Sequence, residues 1–288
     1  MALSISRPKV SFFTQGRRLP HRHSYIIVDQ CYVQYKASPS PKPKAPPILF
    51  IHGGGLSGAQ WESTPDLRPG WSCLGNDQGY DTYLLDTVDN GRSARAPDHI
   101  RPDAHIEHRT AKELWTNFRF GEADKFDSRK PFNDGQFPVE HLDALVASQT
   151  SRRRTNDQAE ARGIVDVLAK IGECWLIAHS HGAALVMDAL GNPALRTTVL
   201  GNVKRMVLVE PGGTSSAKNL TQEIPTLVVW GDYIDDHDRW PKIMKPFKTS
   251  SAKMLRLPDL GIRGNSHFPM SDKNSDHVFK IVLDWLEK

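Results

Sequence analysis

Ser180 is the residue in this 288-residue chain whose surroundings most clearly suit chemistry. It sits in Ala178-His179-Ser180-His181-Gly182, after the apolar run Cys174–Ala178 and before the helical pattern AALVMDAL. A strand, a tight turn and a helix, with a small residue two places to either side of Ser, form a nucleophile elbow of the G-x-S-x-G kind, here with Ala in the first place. The turn is so sharp that larger flanking side chains would collide. It exposes the Ser hydroxyl and sets the next N–H, that of His181, at a helix N-terminus, where it can meet a developing oxyanion. The chemistry this suits is acyl transfer through a covalent serine intermediate.

His52-Gly53-Gly54-Gly55, at the end of an upstream apolar run, supplies a second signal. Glycines let a backbone approach a substrate closely and turn N–H groups towards it. Gly54 is the expected second oxyanion donor, with Gly53 and Gly55 as rivals, and Gly55 is also expected at the substrate pocket. No G-K-[ST] follows and no G-x-G-x-x-G opens a helix, which sets a nucleotide cradle aside.

A Ser hydroxyl needs a base, and the base needs a third group to hold it. In hydrolases built on such an elbow the chain order is Ser, acid, His. Of the twelve His, His267 in GIRGNSHFPM stands after the last apolar run and before the last helical pattern, where the base belongs. His277 opens the final helix, and His179 and His181 cannot turn back onto Ser180. The acid is less determined by the residues alone. The usual position falls in LVVWGDYIDDHD, with Asp232, Asp235, Asp236 and Asp238; one run earlier, VLVEPGG places Glu210 at a strand's carboxyl end. The acidic run itself reads as a solvated turn, since no second ligand cluster accompanies it, and no metal is expected.

The elements that must position these residues are legible as alternation. ILFI, YDTYLLD, CWLIA, VKRMVLV, PTLVVW and the weaker AKMLRL read as strands. Residues 24–37 read as a strand pair at the sheet's start. DQAEARGIVDVLAKIG, AALVMDALG and DHVFKIVLDWLEK read as helices. The expected fold class is α/β: a mostly parallel, doubly wound sheet with crossover helices, in one domain over residues 1–288. Residues from about 92 to 155 break the alternation, being rich in charge, Pro and aromatics, and are expected to form a cap-like insertion. Leaving a strand at its carboxyl end, such a cap would cover the site. Trp115 and Phe118, three apart and so on one helix face, are candidates for the substrate pocket.

Composition excludes several classes. Hydrophobic residues at 39% and charged residues at 24% are ordinary for a globular domain. The net charge of +4 is spread along the chain, so nucleic acid is not an expected partner. The one basic run, Arg152-Arg153-Arg154, reads as a solvated helix start. No apolar stretch reaches the ~18 residues of a membrane span, and no membrane partner is expected. The N-terminal stretch lacks a continuous apolar h-region and Cys31 and Cys174 lie in or beside apolar runs as packed thiols. The expected location is therefore cytoplasmic.

Five segments in order, QGYDTYLLDTVDNGRS, ELWTNFRFG, VLVEPGG, GDYIDDHDRW and LGIRGNSHFPM, together resemble the α/β-hydrolase superfamily, in particular a bacterial carboxylesterase branch with a Ser–Glu–His triad. The similarity runs from the first Gly-rich loop to the C-terminus. It implies an α/β-hydrolase fold, a triad of Ser180, Glu210 and His267, no cofactor, and a homodimer as an assembly to test. The chain departs from that branch at HGGG, where the relative carries adjacent cysteines, and in lacking its export signal.

The expected function is serine-dependent ester hydrolysis of a small-molecule substrate. A lactone or amide is the alternative substrate for the same groups, and a catalytically silent ligand receptor is the alternative from another class.

Overall fold

Uninterrupted Val/Ile/Leu runs belong to strands covered on both faces, and these runs form the middle of an eight-stranded sheet. The structure is a computed structural model that describes residues 7–101, 106–153, 155–212, 217–220 and 222–288. Its strands are β1 (Phe12–Phe13), β2 (Arg17–His21), β3 (Ser24–Val28), β4 (Tyr32–Lys36), β5 (Ile48–Ile51), β6 (Thr82–Asp86), β7 (Ile106–Glu107), β8 (Arg152–Arg153), β9 (Cys174–His179), β10 (Val203–Val209), β11 (Thr226–Trp230) and β12 (Lys253–Arg256). The helices are α1 (Trp71–Asp77), α2 (Ala111–Asn117), α3 (Leu142–Ala147), α4 (Asp157–Ile171), α5 (Ser180–Gly191), α6 (Pro193–Asn202), α7 (Trp240–Met244) and α8 (Ser275–Leu286).

The sheet order is β1-β4-β6-β5-β9-β10-β11-β12. From β6 to β12 every neighbouring pair is parallel, while β4 runs antiparallel to both β1 and β6. The chain is therefore an α/β-hydrolase fold, with β9 at the sheet's centre. Side chains alternate between two cores. Leu176, Ala178, Met206 and Leu208 face α4, α5 and α6, whose Ile164, Leu168, Val186 and Val199 cover them. Ile177, Val207, Val209 and Val229 face the other way, towards Trp71 of α1, Val278 and Phe279 of α8, and Leu114 and Leu142 of α2 and α3.

Two local readings are corrected. Residues 24–37 do not pair with one another: β3 folds back on β2 as a separate hairpin, and β4 joins the main sheet beside β6. The turn at Asp29, with φ +64°, redirects the chain between them. Nor is the basic run a solvated helix start. Arg152 and Arg153 form β8 against β7, and Arg153 is 1% exposed, its guanidinium bonded to Asp98 and to the carbonyl of Ala96; Arg154 lies outside the described residues. The segment from 92 to 155 leaves the sheet after β6 and returns at α4. It carries α2, α3 and several short 3₁₀ turns, and the β7–β8 pair joins its two arms. The cysteines Cys31, Cys73 and Cys174 are all free thiols.

Candidate active site

The elbow forms where β9 passes directly into α5. Ser180 carries φ +50°, a left-handed conformation costly for a residue with a Cβ and held here by the strand behind it and the helix ahead. The need for a small residue at 182 is physical: a Cβ there would stand 2.4 Å from the carbonyl oxygen of His52. Since β9 is central and parallel, Ser180 sits at the carboxyl ends of the strands, where such sheets present their ligand sites.

His267 arrives from the loop after β12 and brings Nε2 within 3.0 Å of Ser180 Oγ. Its Nδ1 lies 3.1 Å from Glu210 Oε2. Glu210 follows the last residue of β10, is fully buried, and also holds φ +49°. The loop bearing His267 is fixed at several points. The His267 N–H donates to the carbonyl of Phe118 at 3.0 Å, and the His267 carbonyl accepts from Nε2 of His179 at 2.9 Å. Asp272 accepts from the N–H and hydroxyl of Ser266 and from Asn265. Around the imidazole, Phe118 stacks at 4.8 Å and 26°, and the rings of Trp240 and His179 lie 4.4 and 4.8 Å away.

Electrostatics follow from this enclosure. Burial, followed by the charges of Arg119, Arg239 and Arg109, holds the His267 imidazole well below its usual range, which keeps the ring neutral and able to accept a proton. Burial, then the neighbouring His267, does the same to His179. Burial pushes the Asp272 carboxyl up to about 7 against its hydrogen bonds from Ser266 and Asn265.

Of the glycines in the loop after His52, Gly53 has its N–H committed, donating to Gln60 Oε1 at 3.1 Å. Gly54 lines the cavity, and its carbonyl is turned to Arg109 Nη1 at 2.9 Å. On the other side, Gly212 covers the elbow. Its N–H donates to the Ser180 carbonyl at 2.9 Å, and a Cβ there would stand 3.2 Å from both the His181 N and Ser180 Oγ. Gly212 thus keeps open the space between the hydroxyl and the candidate donor.

Ser180 and His267 open into a cavity of about 670 Å³. Gly54, Leu56, Phe118, Ala184, Trp240 and Phe268 lie among its walls, and the charged groups of Glu107, Arg109, Glu113, Arg152, Asp157, Asp188 and Arg239 also line it. Two pocket expectations are corrected. Trp115 is fully buried, its indole N–H donating to the Glu122 carbonyl at 2.9 Å and its ring set edge-on to Phe120 and Phe126, so it packs the insertion and does not reach the cavity. Phe118, the C-cap of the same helix, is the one of the two that lines the cavity. Gly55 borders a small adjoining recess instead, because its φ of +76° turns the loop away and its carbonyl accepts from Thr150 N–H. On the later strand's loop, Asp235 is exposed and paired with Arg256 at 2.6 Å, Asp236 is exposed, and the buried residue between strand and acids is Ile234. His277 is exposed on α8.

One group of metal-ligating type occurs among the described residues: Asp157, Glu160 and His181, whose ligating atoms lie within 4.8 Å of one another. The Arg152 guanidinium is 3.1 Å from both ring nitrogens of His181, so a cation of the protein's own already fills this neighbourhood. Burial opposes a charged His181 ring, but bonding to Asp157 and Glu160 outweighs it and raises the ring's proton affinity.

Sequence reasoning missed the parts played by four residues. Arg119, 2% exposed, places Nη2 2.7 Å from Glu210 Oε1. Gln60 and His179 stand behind the glycine loop, with Gln60 Nε2 3.4 Å from His179 Nδ1. Gly212 lies in the quoted VLVEPGG, where the repeated glycine after the acid was the available signal; for Arg119, a lone arginine among aromatics carried none.

Fold and site together define a hydrolase: the chain belongs to the alpha/beta hydrolase family, whose model matches residues 48–272. The chain is similar to a solved bacterial esterase, described as novel, at 27% identity and a TM-score of 0.79, with 96% of this chain and 94% of that one covered. It is also 23% identical to the probable secreted lipase phiG of Fungal sp. (strain ATCC 74256), over 96% of this chain and 89% of the relative. No helix among the described residues is long and apolar enough to cross a membrane.

Proposed function

We propose that the chain is a serine carboxylesterase working through an acyl-enzyme. The observation that carries this reading is the run of contacts Ser180 Oγ–His267 Nε2 and His267 Nδ1–Glu210 Oε2, at 3.0 and 3.1 Å, on the wall of the cavity of about 670 Å³. Ser180 attacks the ester carbonyl while His267 accepts its proton. The tetrahedral oxyanion is received by the N–H groups of Gly54 and His181, each such donor being worth about 3–4 kcal/mol of barrier. Collapse expels the alcohol, which takes the proton from His267, leaving Ser180 acylated. Water, deprotonated by the same His267, then releases the acid and restores Ser180. Glu210 holds the imidazole tautomer and faces the imidazolium that forms.

The lining supports polar, water-soluble esters as substrates: an apolar trough long enough for a fatty acyl chain would leave the charged side chains of Glu107, Arg109, Asp157 and Asp188 facing hydrocarbon. A matched panel tests both parts, with p-nitrophenyl acetate, butyrate and palmitate beside a small lactone and an anilide. The reading predicts turnover of acetate and butyrate well above palmitate. Turnover of the lactone or anilide alone would move the assignment to lactonase or amidase.

A further inference from the structure

We propose that Arg119 is a positioning residue of this site, fixing the Glu210 carboxylate so that one oxygen is reserved for His267. The inference rests on the reading of Glu210 as the acid. Arg119 comes from the insertion, one residue past the cap of α2, and its φ of +62° turns the side chain inward. Both members of the pair are almost wholly buried, with side chains 1% and 0% exposed. Nη2 meets Glu210 Oε1 at 2.7 Å, and the Gly231 N–H donates to that same oxygen. Nε donates to the Asp232 carbonyl at 2.8 Å, and the guanidinium carbon lies 4.9 Å over the Trp240 ring, which itself packs on His267.

The physical need is specific to glutamate. With one more torsion than aspartate, a Glu at a strand end could rotate its carboxylate and offer either oxygen to the base. A guanidinium that is itself bonded to a main-chain carbonyl and stacked on an indole is a fixed donor, and pins Oε1 as a flexible ammonium would not. Oε1 is then occupied by Arg119 and Gly231, and Oε2 is left for Nδ1. The charge has a second effect. The charged or titratable groups facing His267 are Glu210, Arg119, Arg239, Arg109 and His179, and Arg119 is the leading charge, after burial itself, that keeps the ring unprotonated. An arginine serving only as a core ion pair would leave the pH profile of turnover where it was.

The experiment compares Arg119→Met and Arg119→Lys, each alone and with Glu210→Gln, reading kcat, KM and the acid limb of kcat/KM on one ester. Arg119→Met is expected to lower kcat about 100-fold, to leave KM within about threefold, and to move the acid limb up. Arg119→Lys keeps the charge, so its acid limb should stay near that of the parent while kcat recovers in part. In the Glu210→Gln background, Arg119→Met should cost less than about threefold more, since it acts through an acid no longer there. A folded Arg119→Met enzyme with parental kcat and acid limb would overturn the inference, and so would equal losses in both backgrounds. If the single Met variant does not fold, the Lys variant and the doubly substituted one, which removes both charges, decide: an acid limb moved in the former or a large further loss in the latter overturns it. Should Glu210→Gln alone stay active, the acid assignment fails instead, which is a separate result.

Discussion

The main-chain N–H of His267 donates to the carbonyl of Phe118 at 3.0 Å, and the two rings stack 4.8 Å apart. The proposed base is therefore held by the insertion as well as by its own loop, and Arg119, the next residue, grips the acid. The insertion carries part of the geometry of the proposed site and is not a detachable cover. This relationship organises the predictions.

Because Glu210 alone among the candidate acids touches His267, Glu210→Gln should cost on the order of 10⁴ in kcat. Asp235→Asn removes only an exposed pair with Arg256 and Asp236→Asn an exposed carboxylate, so each should cost less than about tenfold. Steady-state kinetics of the three variants on one ester check this; a crippled Asp235 or Asp236 variant beside an active Glu210→Gln would reverse the assignment.

Phe118 and Trp115 should separate cleanly. Phe118 walls the cavity and stacks on the base, so Phe118→Ala should alter the ranking of acyl groups and lower kcat. Trp115 is a core residue, and Trp115→Ala should cost about 3–5 kcal/mol of stability with the ranking of substrates unchanged. Denaturant melts beside an ester panel distinguish the two, and a changed ranking in the Trp115 variant would contradict the placement.

Gly212 guards the space in front of Ser180, the proposed nucleophile. A methyl there would stand 3.2 Å from Ser180 Oγ and from the His181 N, so Gly212→Ala should lower kcat/KM at least tenfold with little loss in melting temperature. Bulkier acyl groups should suffer more. Parental kinetics across the panel would show that substrate does not pass this way.

The pH dependence has a definite sign. His267 and His179 are both held below the ordinary imidazole range. The acid limb of kcat/KM should therefore lie below about pH 6.5. Below that pH the unfolded chain binds protons at these two rings and the folded chain does not, so stability falls as pH drops. His181 acts the other way: its affinity is raised, so the folded chain binds the extra proton and that contribution is lost as pH rises above about 6.5. Asp272, its carboxyl raised to about 7, acts in the same sense as His181, its contribution being lost as pH rises towards 7. An acid limb centred above about 6.5 would contradict the environment described for His267.

Much of this was legible in the residues, for reasons that differ by element. The parallel strands announce themselves because both faces are covered, and the elbow because its turn tolerates only small neighbours at 178 and 182. The order of Ser180, Glu210 and His267 along the chain reflects strand order, which is topological and survives divergence. The placement of Trp115 was not legible, because whether an aromatic lines a cavity or packs beneath it depends on tertiary partners, here Phe120, Phe126 and the Glu122 carbonyl. Arg152 and Arg153 read as solvated because charge usually is. Their burial depends on His181 and Asp98, partners 29 and 55 residues away. Arg119 escaped for the same reason: its meaning lies in Glu210, 91 residues away.

Intact-mass analysis with a fluorophosphonate tests the central claim most directly, on the parent and on Ser180→Ala. The account predicts one adduct per parent chain, mapped to Ser180, and none on a Ser180→Ala protein that melts like the parent and has lost about 10⁶ in kcat. An adduct on another residue, or a Ser180→Ala variant that still turns over ester at more than a few per cent of the parental rate, would contradict it.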